Sequence, residues 1–177
     1  MNNYEMDFTE CELKEREYGT ILLENILKCT KYKFAEIGSY DKVDGTCWTG
    51  DTETSIPIKF EIKVRRMPRD RYHDHFIEKI KLKELAEAHK NGYIVLYIMF
   101  FEEDDGRISS IIYNVSEKFN FFIRNEVPLR HGISYRYLPY STALGGRGGY
   151  TYKPCFTLLR HPNNDIIIDN IHINNLI

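Results

Sequence analysis

Apolar and polar positions alternate most cleanly over IPIKFEIKVRR, residues 56 to 66. Ile56, Ile58, Phe60, Ile62 and Val64 fall on one side of an extended chain. Lys59, Glu61, Lys63 and Arg65 fall on the other, because strand side chains alternate with period two. The pattern predicts a β-strand whose charged face meets either water or a ligand. Upstream, Thr9 is placed to cap a helix running to about Cys29, with Glu10 and Glu12 in the first turn, where the helix dipole favours acids. KYKFAEIG reads as a strand, and DKVDGTCWTGD as a turn entering a second one.

Downstream, PRDRYHDH reads as a polar loop. In FIEKIKLKELAEAHKNG, Phe76, Ile80, Leu82, Leu85 and Ala86 recur at helical spacing, and Asn91-Gly92 stops the helix. YIVLYIMFF is almost wholly apolar, as expected of a strand inside a sheet covered on both faces. EDDGR then predicts a hairpin turn and ISSIIYNV a further strand. The order is helix, three strands, helix, strand, which predicts an α/β fold with a central mixed β-sheet flanked by helices. Its core spans about 9–115 of a single 177-residue domain, and a β-rich extension covers about 116–177.

Composition narrows the setting. Hydrophobic residues make up 42% of the chain, enough for a proper core, and the longest apolar run is less than half a membrane span. The N-terminal stretch is acidic and polar, unlike a signal peptide. Cys11, Cys29, Cys47 and Cys155 form no C-x-x-C pair, which points to a reducing cytoplasm rather than a disulfide scaffold. The net charge of −2 hides an uneven distribution. Residues 1–58 carry 6 basic and 12 acidic groups, 59–90 carry 10 and 6, and 118–160 carry 7 and 1. Two basic segments on an acidic chain suggest a local anion-binding face, against the plainer alternative of ordinary surface unevenness.

Asp44 stands seventeen residues before Glu61, at the start of the second predicted strand. Adjacent strands can bring the two carboxylates together, and a pair of acids suits Mg²⁺, which takes oxygen ligands. Lys63 projects on the same side as Glu61, where an ammonium could stabilise developing negative charge. Asp44 followed by Glu61-Ile62-Lys63, after a helix and a strand and before a second helix, resembles the PD-(D/E)xK nuclease superfamily. The resemblance implies a restriction-endonuclease-like core, of the kind found in phage and bacterial nucleases. Asp44 and Glu61 would hold Mg²⁺ or Mn²⁺, and Lys63 would assist phosphodiester hydrolysis. A glutamate on the first helix would complete the metal site: Glu24, or failing that Glu17. Val43 replaces the proline that usually precedes the aspartate.

The implied partner is nucleic acid, DNA before RNA, with no membrane involved. A homodimer cutting two strands is a further implication of the resemblance. Lys59, Arg65, Lys79, Lys83, Arg136, Arg147 and Lys153 are the candidate nucleic-acid contacts, with several tyrosines between 135 and 152 able to stack on bases. The alternative is a non-catalytic nucleic-acid-binding or assembly protein on the same fold. His73-Asp74-His75 lacks a further ligand at useful spacing and reads as a polar loop. GGRGG, residues 145–149, lacks the order of a nucleotide-binding loop.

Overall fold

The computed structural model describes residues 8–37, 43–49, 57–72, 74–124, 133–139 and 149–159. Helix α1 (Phe8–Ile21) runs into a π-helical turn, Leu22–Ile26. Lys28 then takes a left-handed backbone (φ 51°), which ends the helix before strand β1 (Cys29–Phe34). The chain is already helical at Phe8, so Thr9 lies inside the first turn and does not cap it. Strands β2 (Gly45–Thr49) and β3 (Pro57–Arg65) follow, then β4 (Asp74–Glu78), α2 (Lys79–Lys90), β5 (Ile94–Glu102), β6 (Ile108–Asn114) and α3 (Val115–Arg124). Strands β7 (Ile133–Pro139) and β8 (Tyr150–Leu159) complete the described chain.

The fold is mixed α/β. A five-stranded sheet runs β1-β2-β3-β5-β6, antiparallel except for the central β3–β5 pair, which is parallel. A smaller sheet, β4-β8-β7, is antiparallel throughout. Strand β5 shows why the large sheet is covered on both faces. Leu96, Ile98 and Phe100 join Tyr18, Leu22, Phe60 and Ile62 on the α1 side. Val95, Tyr97, Met99 and Phe101 join Leu82, Leu85, Phe119, Phe156 and Leu158 on the side of α2 and the small sheet. Alternation with period two sends the two sets to opposite faces, so a strand buried on both sides must be apolar at nearly every position.

Three elements depart from the sequence expectation. Phe76 and Ile77 belong to β4, and the helix begins only at Lys79, because β4 pairs with β8 some eighty residues later (Ile77 opposite Phe156). Ile80, expected on the apolar face of the helix, is 68% exposed. The segment after Asn114 forms α3, whose Phe119 is buried. The predicted C-terminal strand beyond Leu159 lies outside the described residues, as do Ile56 and His73. Among the described residues no helix is long and apolar enough to cross a membrane.

Candidate active site

Strand β3 answers the question posed by its charged face. It sits between β2 and β5, not at an edge. Glu61, opposite Tyr97 of β5, is fully buried, and Lys63, opposite Met99, is about one-third exposed. The charged face therefore meets protein at Glu61 and is partly open at Lys59, Lys63 and Arg65.

Asp44 reaches this point because of the residue after it. A Cβ on Gly45 would stand 2.4 Å from the Phe60 ring and 2.7 Å from the Lys33 carbonyl, so only glycine lets β2 start so close to β1 and β3. Backbone bonds fix Asp44 on both sides: its N–H donates to the Phe60 carbonyl at 3.1 Å, and its carbonyl accepts from Ala35 at 2.8 Å. Its side chain then continues the ladder where the backbone pairing stops. Oδ2 accepts from the Ile62 N–H at 2.6 Å.

A second glycine brings the helix in. A Cβ on Gly19 would lie 2.7 Å from Ile62 Cδ1, so α1 packs directly on β3 at that position. One turn earlier on the same stripe, Glu15 accepts a hydrogen bond from Lys63 Nζ at 3.4 Å. The same ammonium lies 3.3 Å from Glu61 Oε1 and 3.9 Å from Asp44 Oδ2. From α2, Lys81 Nζ donates to Glu61 Oε2 at 3.1 Å. Three carboxylates and two ammoniums thus share one region. Beside it, a cavity of about 40 Å³ is lined by Glu12, Glu15, Arg16, Glu36, Asp44 and Ile62, among others.

The electrostatics follow from burial. Loss of water pushes the Glu15 carboxyl up to about 7, with Asp44 and Glu61 adding to the shift and Lys63 opposing it. Burial likewise pushes the Glu61 carboxyl up against the pull of Lys63 and Lys81. Burial alone would lower Lys63, but the carboxylates of Glu61, Glu15 and Asp44 outweigh it and hold the ammonium charged. Glu61 Oε1 is buried and accepts no hydrogen bond, although Lys63 lies near it. An oxygen in that condition is costly unless a charge is close by.

The donor set suits a hard divalent cation. Their contacts to the shared lysine bound the separation of the Asp44 and Glu61 oxygens at about 7 Å, and a cation bridging them by bonds of about 2.1 Å needs them within about 4 Å of each other. Among the described residues no three His, Cys, Asp or Glu side chains already form a metal-ligand set, and Lys63 stands between the carboxylates.

Of the residues expected from the sequence, Asp44, Glu61 and Lys63 come together. Glu24 does not join them. It lies nine residues beyond Glu15, about 10 Å or more along the helix, and its carboxylate accepts from the Tyr32 hydroxyl at 2.5 Å at the surface. Glu17 is exposed as well. Glu15 occupies the place expected of Glu24. The signal for it was the stripe Glu15, Tyr18, Gly19 and Leu22, in which the last three are buried. Lys81 was also missed; it lies between the two lysines expected on α2, Lys79 and Lys83, which are exposed.

The expected nucleic-acid contacts divide further. Lys59 lies over the Tyr93 ring at 4.8 Å, and Arg65 is half-buried in β3. Arg136 bonds Asp74, and Lys153 bonds Glu78 at 3.2 Å. Much of the charge on the β7–β8 hairpin is therefore engaged within the chain. Arg147 lies outside the described residues. Among the described residues, the tyrosines expected to stack are exposed: Tyr137 lies 5.4 Å from Tyr150 and 5.1 Å from Tyr152, measured between ring centres. Comparison of the chain with protein-family models, curated proteins and solved structures yields no match.

Proposed function

We propose that this protein is a metal-dependent nuclease that hydrolyses phosphodiester bonds, with DNA its expected substrate. The observation that carries the reading is the meeting of Asp44, Glu61, Lys63 and Glu15 at the open part of β3, with Glu61 Oε1 buried and lacking a hydrogen bond. The strand order supports it. A β3 carrying Glu61 and Lys63, flanked by antiparallel β2 and parallel β5 after an opening helix, is compatible with a restriction-endonuclease-like core.

Asp44 and Glu61 would hold Mg²⁺ or Mn²⁺, and Glu15 would support them from α1. A bound divalent ion supplies Lewis-acid polarisation of a phosphoryl oxygen and a water of lowered pKa. The protein's own share is positional. The Ile62 N–H orients Asp44, Lys81 orients Glu61, and Lys63 supplies a positive charge to orient the attacking water and offset charge developing on the phosphate. An acid-lined cavity repels a phosphate on its own, so a cation between carboxylates and substrate is an electrostatic requirement of this reading.

The test is incubation of the full chain with mixed single-stranded and duplex DNA and RNA, in Mg²⁺ or Mn²⁺. Cleavage by the wild type and none by Asp44→Asn or Glu61→Gln is the expected result. Absence of product under every condition, or equal cleavage by all three proteins, would overturn the proposal.

A further inference from the structure

Lys63 is held differently from its neighbours. Its ammonium is surrounded by Glu15, Asp44 and Glu61 at 3.4, 3.9 and 3.3 Å, and only the Glu15 contact has hydrogen-bond geometry. A well-formed charged pair is shorter, about 2.7–2.9 Å. Lys14 and Glu102 make such a pair in this same protein, at 2.6 Å. Lys63 therefore sits among three carboxylates without fitting any of them closely. The two strand carboxylates, meanwhile, do not rely on it. Asp44 is held by the Ile62 N–H at 2.6 Å, and Glu61 by Lys81 through Oε2 at 3.1 Å. Oε1 of Glu61 is left pointing at the ammonium with no hydrogen bond.

We propose that Lys63 is a placeholder for the divalent cation: in the metal-free protein its ammonium fills the space between Asp44 and Glu61, and metal binding expels it towards the substrate side. The inference rests on the metal-dependent reading of the site and adds to it a built-in competitor. A four-carbon stem with a compact ammonium can leave by rotation about its own bonds. The anchors on Asp44 and Glu61 are separate groups, so each carboxylate keeps a partner after the lysine departs. Without metal, the ammonium offsets the mutual repulsion of three closely placed acids, one of them fully buried. With metal, it would become free to face the phosphate. One side chain thereby keeps the empty site folded and reserves its charge for the loaded state.

The placeholder role makes a prediction that a general charge effect does not. Lys63→Met and Lys81→Met each remove one positive charge beside Glu61, but only Lys63 competes for the cation's space. Mn²⁺ and Mg²⁺ affinities are measured by calorimetry on the full chain without nucleic acid, and melting curves taken with and without metal check folding. Lys63→Met is expected to bind at least about tenfold more tightly than wild type, the scale of removing one nearby like charge in a partly buried site. Lys81→Met also removes a like charge near Glu61 but vacates no space between the carboxylates and loosens Glu61, so it is expected to tighten binding clearly less than Lys63→Met does. If Lys63→Met is unfolded without metal, Lys63→Gln, which keeps a donor without the charge, is measured in its place.

Wild-type binding with equal or weaker binding by the Lys63 variants would overturn the placeholder role and leave the nuclease proposal standing. Equal tightening in the Lys63 and Lys81 variants would overturn it too, as a general charge effect. No binding by any of the proteins would remove the placeholder and the metal site together.

Discussion

Two charge-rich regions of this molecule use the same residue types to opposite ends. On the β7–β8 hairpin, each cation among the described residues has its own acid: Arg136 with Asp74, and Lys153 with Glu78. Those pairs are partly exposed and local to one sheet, the kind that contributes little and repays little attention from a substrate. At the open part of β3, three acids share two lysines, one carboxylate is fully buried, and one of its oxygens accepts no hydrogen bond. The first arrangement matches one acid to each base, whereas the second sets three acids against two lysines. Stoichiometry and burial distinguish a site from a surface here, and the number of charges does not.

The largest test of that contrast is removal of Glu61. Glu61→Ala takes from Lys63 and Lys81 the carboxylate they share and empties a fully buried position; its expected cost is about 3–4 kcal/mol, the low end for a broken buried pair because both lysines are one-third exposed. Chemical denaturation measures it, and a loss below about 1 kcal/mol would make this cluster no different from the hairpin pairs.

A pH effect comes next. Glu15 keeps its proton to about pH 7 in the folded chain and releases it near 4.5 when unfolded. Between those values the folded state holds more protons, so metal-free stability is expected to fall as pH rises from about 4.5 to 7, by up to about 3 kcal/mol. Glu15→Gln should flatten that dependence and stabilise the protein above pH 7. An unchanged slope in denaturation curves across this range would place the burial cost elsewhere.

Gly19→Ala tests the approach of α1. The added methyl meets Ile62 Cδ1 at 2.7 Å, an overpacking cost of about 1–3 kcal/mol that the better helix propensity of alanine offsets by about 1. Stability should fall modestly while cleavage falls more, because Glu15 moves off Lys63. Equal losses in both would detach the helix from the site.

The smallest effect belongs to the hairpin. Lys153→Ala and Arg136→Ala should each cost less than about 1 kcal/mol and change DNA affinity less than twofold at fixed salt. A steep loss of affinity would show that these residues leave their acids to hold phosphate.

The sequence reveals interactions between close neighbours more readily than those between distant ones. The alternation around Glu61 and Lys63, the hairpin at Gly106 and the apolar run of β5 were all readable, since each depends on a few adjacent residues. The meeting of Asp44 with Glu61 and Lys63 was readable for a related reason: the one short connection between β2 and β3 leaves them little choice but to pair. The expected helix glutamates, Glu24 and Glu17, lie on the exposed side of the first helix, where Leu13 is 52% exposed as well. Tyr18, Gly19 and Leu22 mark the packed face instead, and Gly19 carries no hydrophobic signal at all. Strand β4 and the ion pairs of Arg136 and Lys153 depend on partners 62 to 85 residues apart, so the basic excess of 118–160 gave no hint that Asp74 and Glu78 would neutralise part of it.

The claim that the β3 cluster is a cation site is tested most directly by an anomalous difference map from crystals of the full chain soaked in Mn²⁺. The account predicts a peak about 2.1–2.3 Å from one oxygen each of Asp44 and Glu61, with the Lys63 ammonium moved out from between them. No peak there at saturating Mn²⁺, with Lys63 still lying between the two carboxylates, would contradict it.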